Sequence, residues 1–194
     1  MSTLQNFGIP NGTGGGRGGL LQPKTKQKFR VLVFQFGPVN NGLELTQQTV
    51  SVGRPQMQQE AKEIHSYNSI AYYAGKAVWQ EITLTVRDDV TNSVSKLVGH
   101  QMQKQMNFFQ QTTPESGSNY KFKMFIETLD GGNGAAIEQW ILEGCFLAGV
   151  NYEEFDYSSS DAMTIALTVR YDNATQQGGL MPTNPNLTPS LGSI

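Results

Sequence analysis

Cysteine, charge and long apolar runs are all scarce in this chain of 194 residues. A single cysteine, Cys145, excludes an internal disulfide framework and a cysteine-rich zinc site. No apolar run reaches the roughly 18 residues of a membrane span, so no stable membrane insertion is expected. The first residues hold no apolar stretch of the kind a secretory signal needs, and none is expected. Charged residues make up 15%. That is well below the roughly 25% of an average globular chain. The formal net charge of −2 disfavours a protein that wraps nucleic acid by neutralising phosphates. These absences describe a soluble chain kept in a reducing compartment, of a size for one domain around one core. Amides and glycine stand where charge is missing: 18 Gln, 13 Asn and 21 Gly. Such a surface suits broad contact with other protein better than steering of a charged ligand.

The ends differ from the middle. Residues 1–26 hold seven glycines, five of them in Gly14-Gly15-Gly16-Arg17-Gly18-Gly19. That stretch buries too little apolar surface to offset its ordering entropy and reads as a flexible arm. Residues 174–194 carry Pro182, Pro185 and Pro189 among Gly, Ser, Thr and Asn, and read as a second arm. The domain is therefore expected over 27–173. All 16 acids fall between Glu44 and Asp172, whereas three of the 14 bases lie in the first arm. The domain thus carries 11 − 16 = −5 and the arm +3. From Glu127 to Asp172 there are nine acids and one base, Arg170. This is either a solvated acidic face or a functional one.

Between the arms the apolar pattern has mostly period two. Lys28–Phe36 is apolar on both faces, which predicts a strand that is central or covered on both sides. Leu43–Val52 reads as a strand with a phase slip at Gln47-Gln48, explained by a bulge. Val78–Arg87, Tyr120–Leu129, Ile137–Gly149 and Ala162–Tyr171 are further strands. Trp140, Leu142 and Phe146 are expected on one face of the fifth. Gly131–Gly134 permits the positive φ angles of a hairpin connection. One segment has a helical period: Val94, Leu97, Val98, Met102, Met106 and Phe109 line one face of a helix over 91–111. Asp88, Asp89 and Thr91 are its cap candidates. The fold class expected is mainly β: a small barrel or sandwich of about six strands with one amphipathic α-helix and flexible N- and C-terminal arms. Residues 53–75 fit neither period and are expected as a long interaction loop, rich in amides and tyrosines.

No constellation of residues in the sequence asks for catalysis. The arm's glycine run lacks the Lys-Ser/Thr ending of a phosphate loop. His65 and His100 have no partner at metal-ligand spacing. Cys145 lies in an apolar strand and reads as a buried small residue. Asp88-Asp89 could pair as acid and base, but their place before a helix favours capping. Glu153, Glu154 and Asp156 form an acidic turn without the spacing of a calcium loop. No catalytic residue, metal or cofactor is expected.

Several segments together resemble a known family. They are Glu81–Thr85 running into Arg87-Asp88-Asp89-Val90-Thr91-Asn92, the Lys96–Gln110 helix, Glu127–Gly134, Trp140–Phe146, and Leu167–Asp172. In combination they are similar to the tail tube protein of contractile-tailed bacteriophages of the T-even type, over most of Lys28–Asn173. The resemblance implies a structural virion protein of the tail tube, assembled in the host bacterial cytoplasm. It implies hexameric rings that stack into a tube, with sheath, baseplate and tail terminator proteins as partners. It also implies transient, non-specific passage of double-stranded DNA during genome ejection. Within that frame Met57, Gln58, Gln59, His65, Tyr67, Asn68, Tyr72 and Tyr73 are candidates for contact between subunits or rings. Glu44, Thr46, Glu81, Thr83, Thr85, Gln139 and Glu143 are candidates for a mildly acidic lumen wall that repels phosphate weakly. The alternatives are a secretion-system tube protein, a baseplate tube initiator, or a β-sandwich carbohydrate-binding module stacking sugars on Tyr67, Tyr72, Tyr73 and Trp79.

Overall fold

The computed structural model describes residues 23–38, 43–130 and 136–178. Most of both expected arms and the glycine turn at 131–134 lie outside the described residues. The elements in chain order are β1 (Phe29–Phe34), α1 (Leu43–Gln48), β2 (Thr49–Val52), β3 (Met57–Ser66), β4 (Ser69–Trp79) and β5 (Ile82–Arg87). After these come α2 (Ser93–Gln105), β6 (Phe122–Leu129), β7 (Ala136–Tyr152), β8 (Thr164–Arg170) and β9 (Asn173–Gln177).

Period-two alternation builds the main sheet. Ile82, Leu84 and Val86 of β5 face Val169, Leu167 and Ile165 of β8 in register, and all six are buried. Phe122, Met124 and Ile126 of β6 enter the same core. The strand order is β1-β6-β7-β8-β5-β2, with β9 beside β7. The first half of β7 pairs with β6 and β9, and its second half pairs with β8. One strand thus joins two half-sheets, β1-β6-β7-β9 and β7-β8-β5-β2. The ends of this order, β1 and β2, do not pair with each other among the described residues, so the mainly β fold is not a closed barrel. Val94, Leu97 and Val98 of α2 pack into the core.

Some expectations change. The strand expected at Leu43–Val52 starts as helix α1, which places Leu45 in the core, and only Thr49–Val52 is strand. The phase slip at Gln47-Gln48 therefore marks a change from period 3.6 to period two, and the break in strand register comes just after it, between Thr49 and Ser51. Strand β1 buries Val31 and Val33 but leaves Leu32 and Phe34 half-buried, and it is an edge strand rather than one covered on both sides. Phe146 leaves the Trp140–Leu142 face because Gly144 makes a bulge with φ +67°. The pleat changes phase there, so Cys145 and Leu147 become the buried residues and Phe146 packs edge-on to Tyr120. A Cβ on Gly144 would collide with the Asp172 carboxylate. The helix stops at Gln105, short of Gln111. The Asn107 Oδ1 atom accepts from the backbone N–H groups of Phe109 and Gln110 at 3.1 and 3.3 Å, turning the chain out of the helix and leaving Phe109 exposed. Finally, β9 carries the sheet beyond Asn173 into the expected arm, where Ala174 is buried.

Candidate functional site

The long loop expected at 53–75 is a β-hairpin instead. Strands β3 and β4 form their own two-stranded sheet. Every residue from Met57 to Val78 is exposed except the half-buried Gly75. Ten residues at about 3.4 Å each give the ribbon a reach of roughly 34 Å. Its register is broken once, near Glu60 and Gly75, where a Cβ would lie 2.7 Å from the Glu60 carbonyl oxygen. An isolated two-stranded ribbon is marginal in water, and its unpaired edges invite another strand.

The contact candidates are distributed along this hairpin. Met57 sits at its base opposite Trp79, followed by Gln58 opposite Val78 and Gln59 opposite Ala77. Tyr73 beside Lys62, with Ile64 beside Ala71, lies on one face of the outer part. Tyr72 beside Glu63, with Ile70 beside His65, lies on the other. Each face thus offers one tyrosine and one isoleucine. Tyr67 and Asn68 form the tip, with Tyr67 fully exposed at a φ of +28°. The Ser69 hydroxyl donates to the Ser66 carbonyl across this turn at 3.3 Å.

The wall candidates do not form one patch. Glu44 and Thr46 lie on α1 rather than on a strand. Thr83 and Thr85 stand opposite Thr168 and Ala166 on the outer side of the β5–β8 half. Gln139 and Glu143 belong to the β6–β7–β9 half. Glu81 is ion-paired with Arg170 at 2.7 Å and Glu143 with Lys123 at 3.3 Å. Gln139 donates to Glu127, which also pairs with Arg30. The acids expected to repel phosphate are therefore largely neutralised within the chain.

At the cap of α2, the Asp89 Oδ1 atom accepts from the backbone N–H groups of Ser93 and Val94 at 2.9 and 3.1 Å. The Thr91 hydroxyl donates to Asp89 Oδ2, as does the Ser93 hydroxyl. These bonds, the Thr91 one first, lower the Asp89 carboxyl to about 2. Asp88 accepts from the Asp89 N–H and does not touch the helix.

Two polar clusters escape the sequence reading. Gln101, fully buried on α2, accepts from the Gly37 N–H at 2.9 Å and donates to the Tyr120 carbonyl at 2.7 Å. One turn on, Gln105 makes a reciprocal pair with the Leu147 backbone, at 2.8 and 2.9 Å. The second cluster centres on Glu138, which is 5% exposed. It receives Lys24 at 2.6 Å, Arg54 at 2.5 Å, the Trp140 indole N–H at 2.9 Å and the Gln176 amide at 2.8 Å. Burial pushes its carboxyl up, but the Lys24 and Trp140 hydrogen bonds and the charges of Arg54 and Lys24 outweigh this. The net result lies below the ordinary 4.5. Both clusters join residues more than 60 positions apart in sequence, at Gly37–Gln101 and Arg54–Glu138. Only the richness in amides could have hinted at them.

Beside Glu138 the unclosed sheet leaves a cleft of about 670 Å³, floored by Phe29, Val52, Ile126 and Trp140. Lys24, Lys26, Lys28 and Arg54 form its rim. Cys145, on the same strand, is fully buried, and burial pushes its thiol up to about 12, so it is inert.

No family profile and no curated protein sequence matches the chain. Solved structures do. A chain from the anti-feeding prophage baseplate, solved with six-fold symmetrisation, superposes with a TM-score of 0.62 at 12% identity, covering 82% of this chain and 98% of that one. The sheath-tube complex of a PVC extracellular contractile injection system gives 0.61 at 15% identity, over 81% and 93%. The SPP1 tail tube gives 0.52 at 10% identity, over 81% and 80%. The chain therefore has the fold of the tail tube proteins found in contractile injection systems and in the SPP1 tail tube.

Proposed function

We propose that this chain is a structural virion protein whose copies form hexameric rings stacked into the inner tail tube of a contractile phage tail, the conduit for genome ejection. The observation that carries the reading is the bare hairpin β3–β4, standing on a tail tube fold with none of the other described residues over it. In the assembly the hairpin lies against an adjacent subunit or ring and buries Tyr72, Tyr73, Ile64 and Ile70. The free edges of β1 and β2 lie at the contact with a neighbouring copy, so that closure of the ring covers them. Sheath, baseplate and terminator proteins are its partners, and its place is the tail tube of the virion, built in the host bacterial cytoplasm.

The sheet-borne wall candidates Thr83, Thr85, Gln139 and Glu143, with the adjacent Glu81, line the lumen, each half-sheet contributing its own share. With Glu81 and Glu143 ion-paired, DNA slides past because hydroxyls and neutral pairs offer phosphates little to hold, not because the wall repels them. A second reading, a tube for cargo other than a genome, is favoured by the similarity to the two injection-system structures. Negative-stain microscopy of the purified chain tests both readings. Hexameric rings and smooth tubes are expected, and persistent monomer at high concentration overturns them. Particles with the tube gene inactivated separate the two: loss of DNA delivery supports the phage role.

A further inference from the structure

Residues 153–161 hold Glu153, Glu154, Asp156 and Asp161 without a base, and all are exposed. Between the acids, Phe155 is 89% exposed and Tyr157 fully so. Two bare aromatic rings in an acidic turn are unusual for a surface that stays in water. The turn is nonetheless shaped. Asp156 accepts from the Ser158 N–H at 2.9 Å and from its hydroxyl at 2.7 Å. Glu153 accepts from the Thr164 N–H at 2.8 Å, clamping the turn to the start of β8.

The cleft between β1 and β2 has the opposite character. Its floor is apolar and its rim carries four bases, against the one buried acid Glu138 and the nearby Asp130, whose carbonyl accepts from Lys28. The turn does not reach the cleft of its own chain, since none of residues 153–161 lines it. The two features sit near opposite ends of β7: Trp140 floors the cleft and Tyr152 precedes the turn. Twelve residue steps of strand at about 3.3 Å hold them up to roughly 40 Å apart along the chain.

We propose that the acidic aromatic turn of one copy docks into the basic-rimmed cleft of the next, with Phe155 and Tyr157 on the apolar floor and Glu154 against the Lys26–Lys28 rim. Both patches belong to every copy and are different from each other. The contact is head-to-tail, and repetition closes it into a ring. It rests on the tube reading and names the surfaces that join neighbours. Apolar burial supplies its strength, and charge sets its orientation.

The test uses full-length protein. Phe155→Ala with Tyr157→Ala should raise the concentration needed for assembly about tenfold or more, while urea unfolding of the monomer stays unchanged. Lys26→Glu and Glu154→Lys should each weaken assembly, and the two together should restore it. For geometry, Tyr157→Cys with Val50→Cys, at a position that lines the cleft, should give in one chain a ladder of covalent oligomers with a short bis-maleimide, since Cys145 is buried and unreactive. Either single variant should give none above background. Wild type that assembles while these variants match it overturns this contact alone. Cross-linking of the cleft cysteine to Tyr67→Cys at the hairpin tip, in place of Tyr157→Cys, overturns it in favour of the hairpin. Wild type that never assembles overturns the tube reading and this contact together.

Discussion

Strands β2 and β5 pair within the main sheet, and the next stretches of the same two chain segments, β3 and β4, pair outside it. In β5 the apolar residues Ile82, Leu84 and Val86 fall on one face and are buried against β8. In β3 and β4 each face mixes a tyrosine and an isoleucine with Lys62, Glu63 or His65, and among the described residues neither is covered. Backbone pairing is the same in both. What separates them is the side-chain pattern: one-sided alternation is satisfied inside the chain, and two-sided mixed surface is left exposed.

Excising Gln58–Val78 from the hairpin and joining its base by an Asn-Gly turn tests that separation most severely. Met57 and Trp79 stay, because Trp79 packs on Tyr171 in the body. Monomer unfolding should barely change, whereas sedimentation should show assembly abolished. If the shortened chain fails to fold, the two regions are not independent. In the body, Leu167→Ala removes a fully buried side chain and should cost about 3 kcal/mol in urea unfolding. Gln101→Ala leaves the Gly37 N–H and the Tyr120 carbonyl unpaired and should cost roughly 1–3 kcal/mol, read the same way. Glu138 separates the regions by pH. Its lowered carboxyl stabilises the fold above 4.5, and that contribution is lost as the pH falls through the depressed value. Glu138→Gln should therefore lose less stability on acidification below 4.5 than wild type, seen in thermal melts across that range. The smallest effect belongs to the ribbon: Tyr73→Ala should shift monomer stability by less than about 0.5 kcal/mol. Its effect should appear only in the concentration at which tubes form.

The one-sided strands could be read directly. Ile82–Val86, Phe122–Ile126 and Ile165–Val169 alternate cleanly, and α2 shows a helical stripe at Val94, Leu97 and Val98. The hairpin stands out in the sequence by its tyrosines and amides but is not legible as strands, because its pairs place no apolar stripe on either face. Helix α1 was hidden by its shortness, six residues being too few to separate period 3.6 from an interrupted period two. The bulge at Gly144 needed knowledge of Asp172, 28 positions later. Neutralisation of the wall candidates was hidden for the same reason, since Glu81 meets Arg170 and Glu143 meets Lys123 only once the sheet is formed.

Links of four and two residues lead from β2 to β3 and from β4 to β5. Across them the Gly53 N–H donates to the Thr83 carbonyl and the Gln80 N–H to the Gln56 carbonyl, both at 2.9 Å. A tug on the ribbon's tip is therefore not absorbed by a slack tether. It arrives at the body as shear along β2 and β5, where several backbone bonds must rupture at once instead of unzipping singly. Under the proposed tube reading, a thrust through the axis is shared between the mechanical interiors of adjoining molecules.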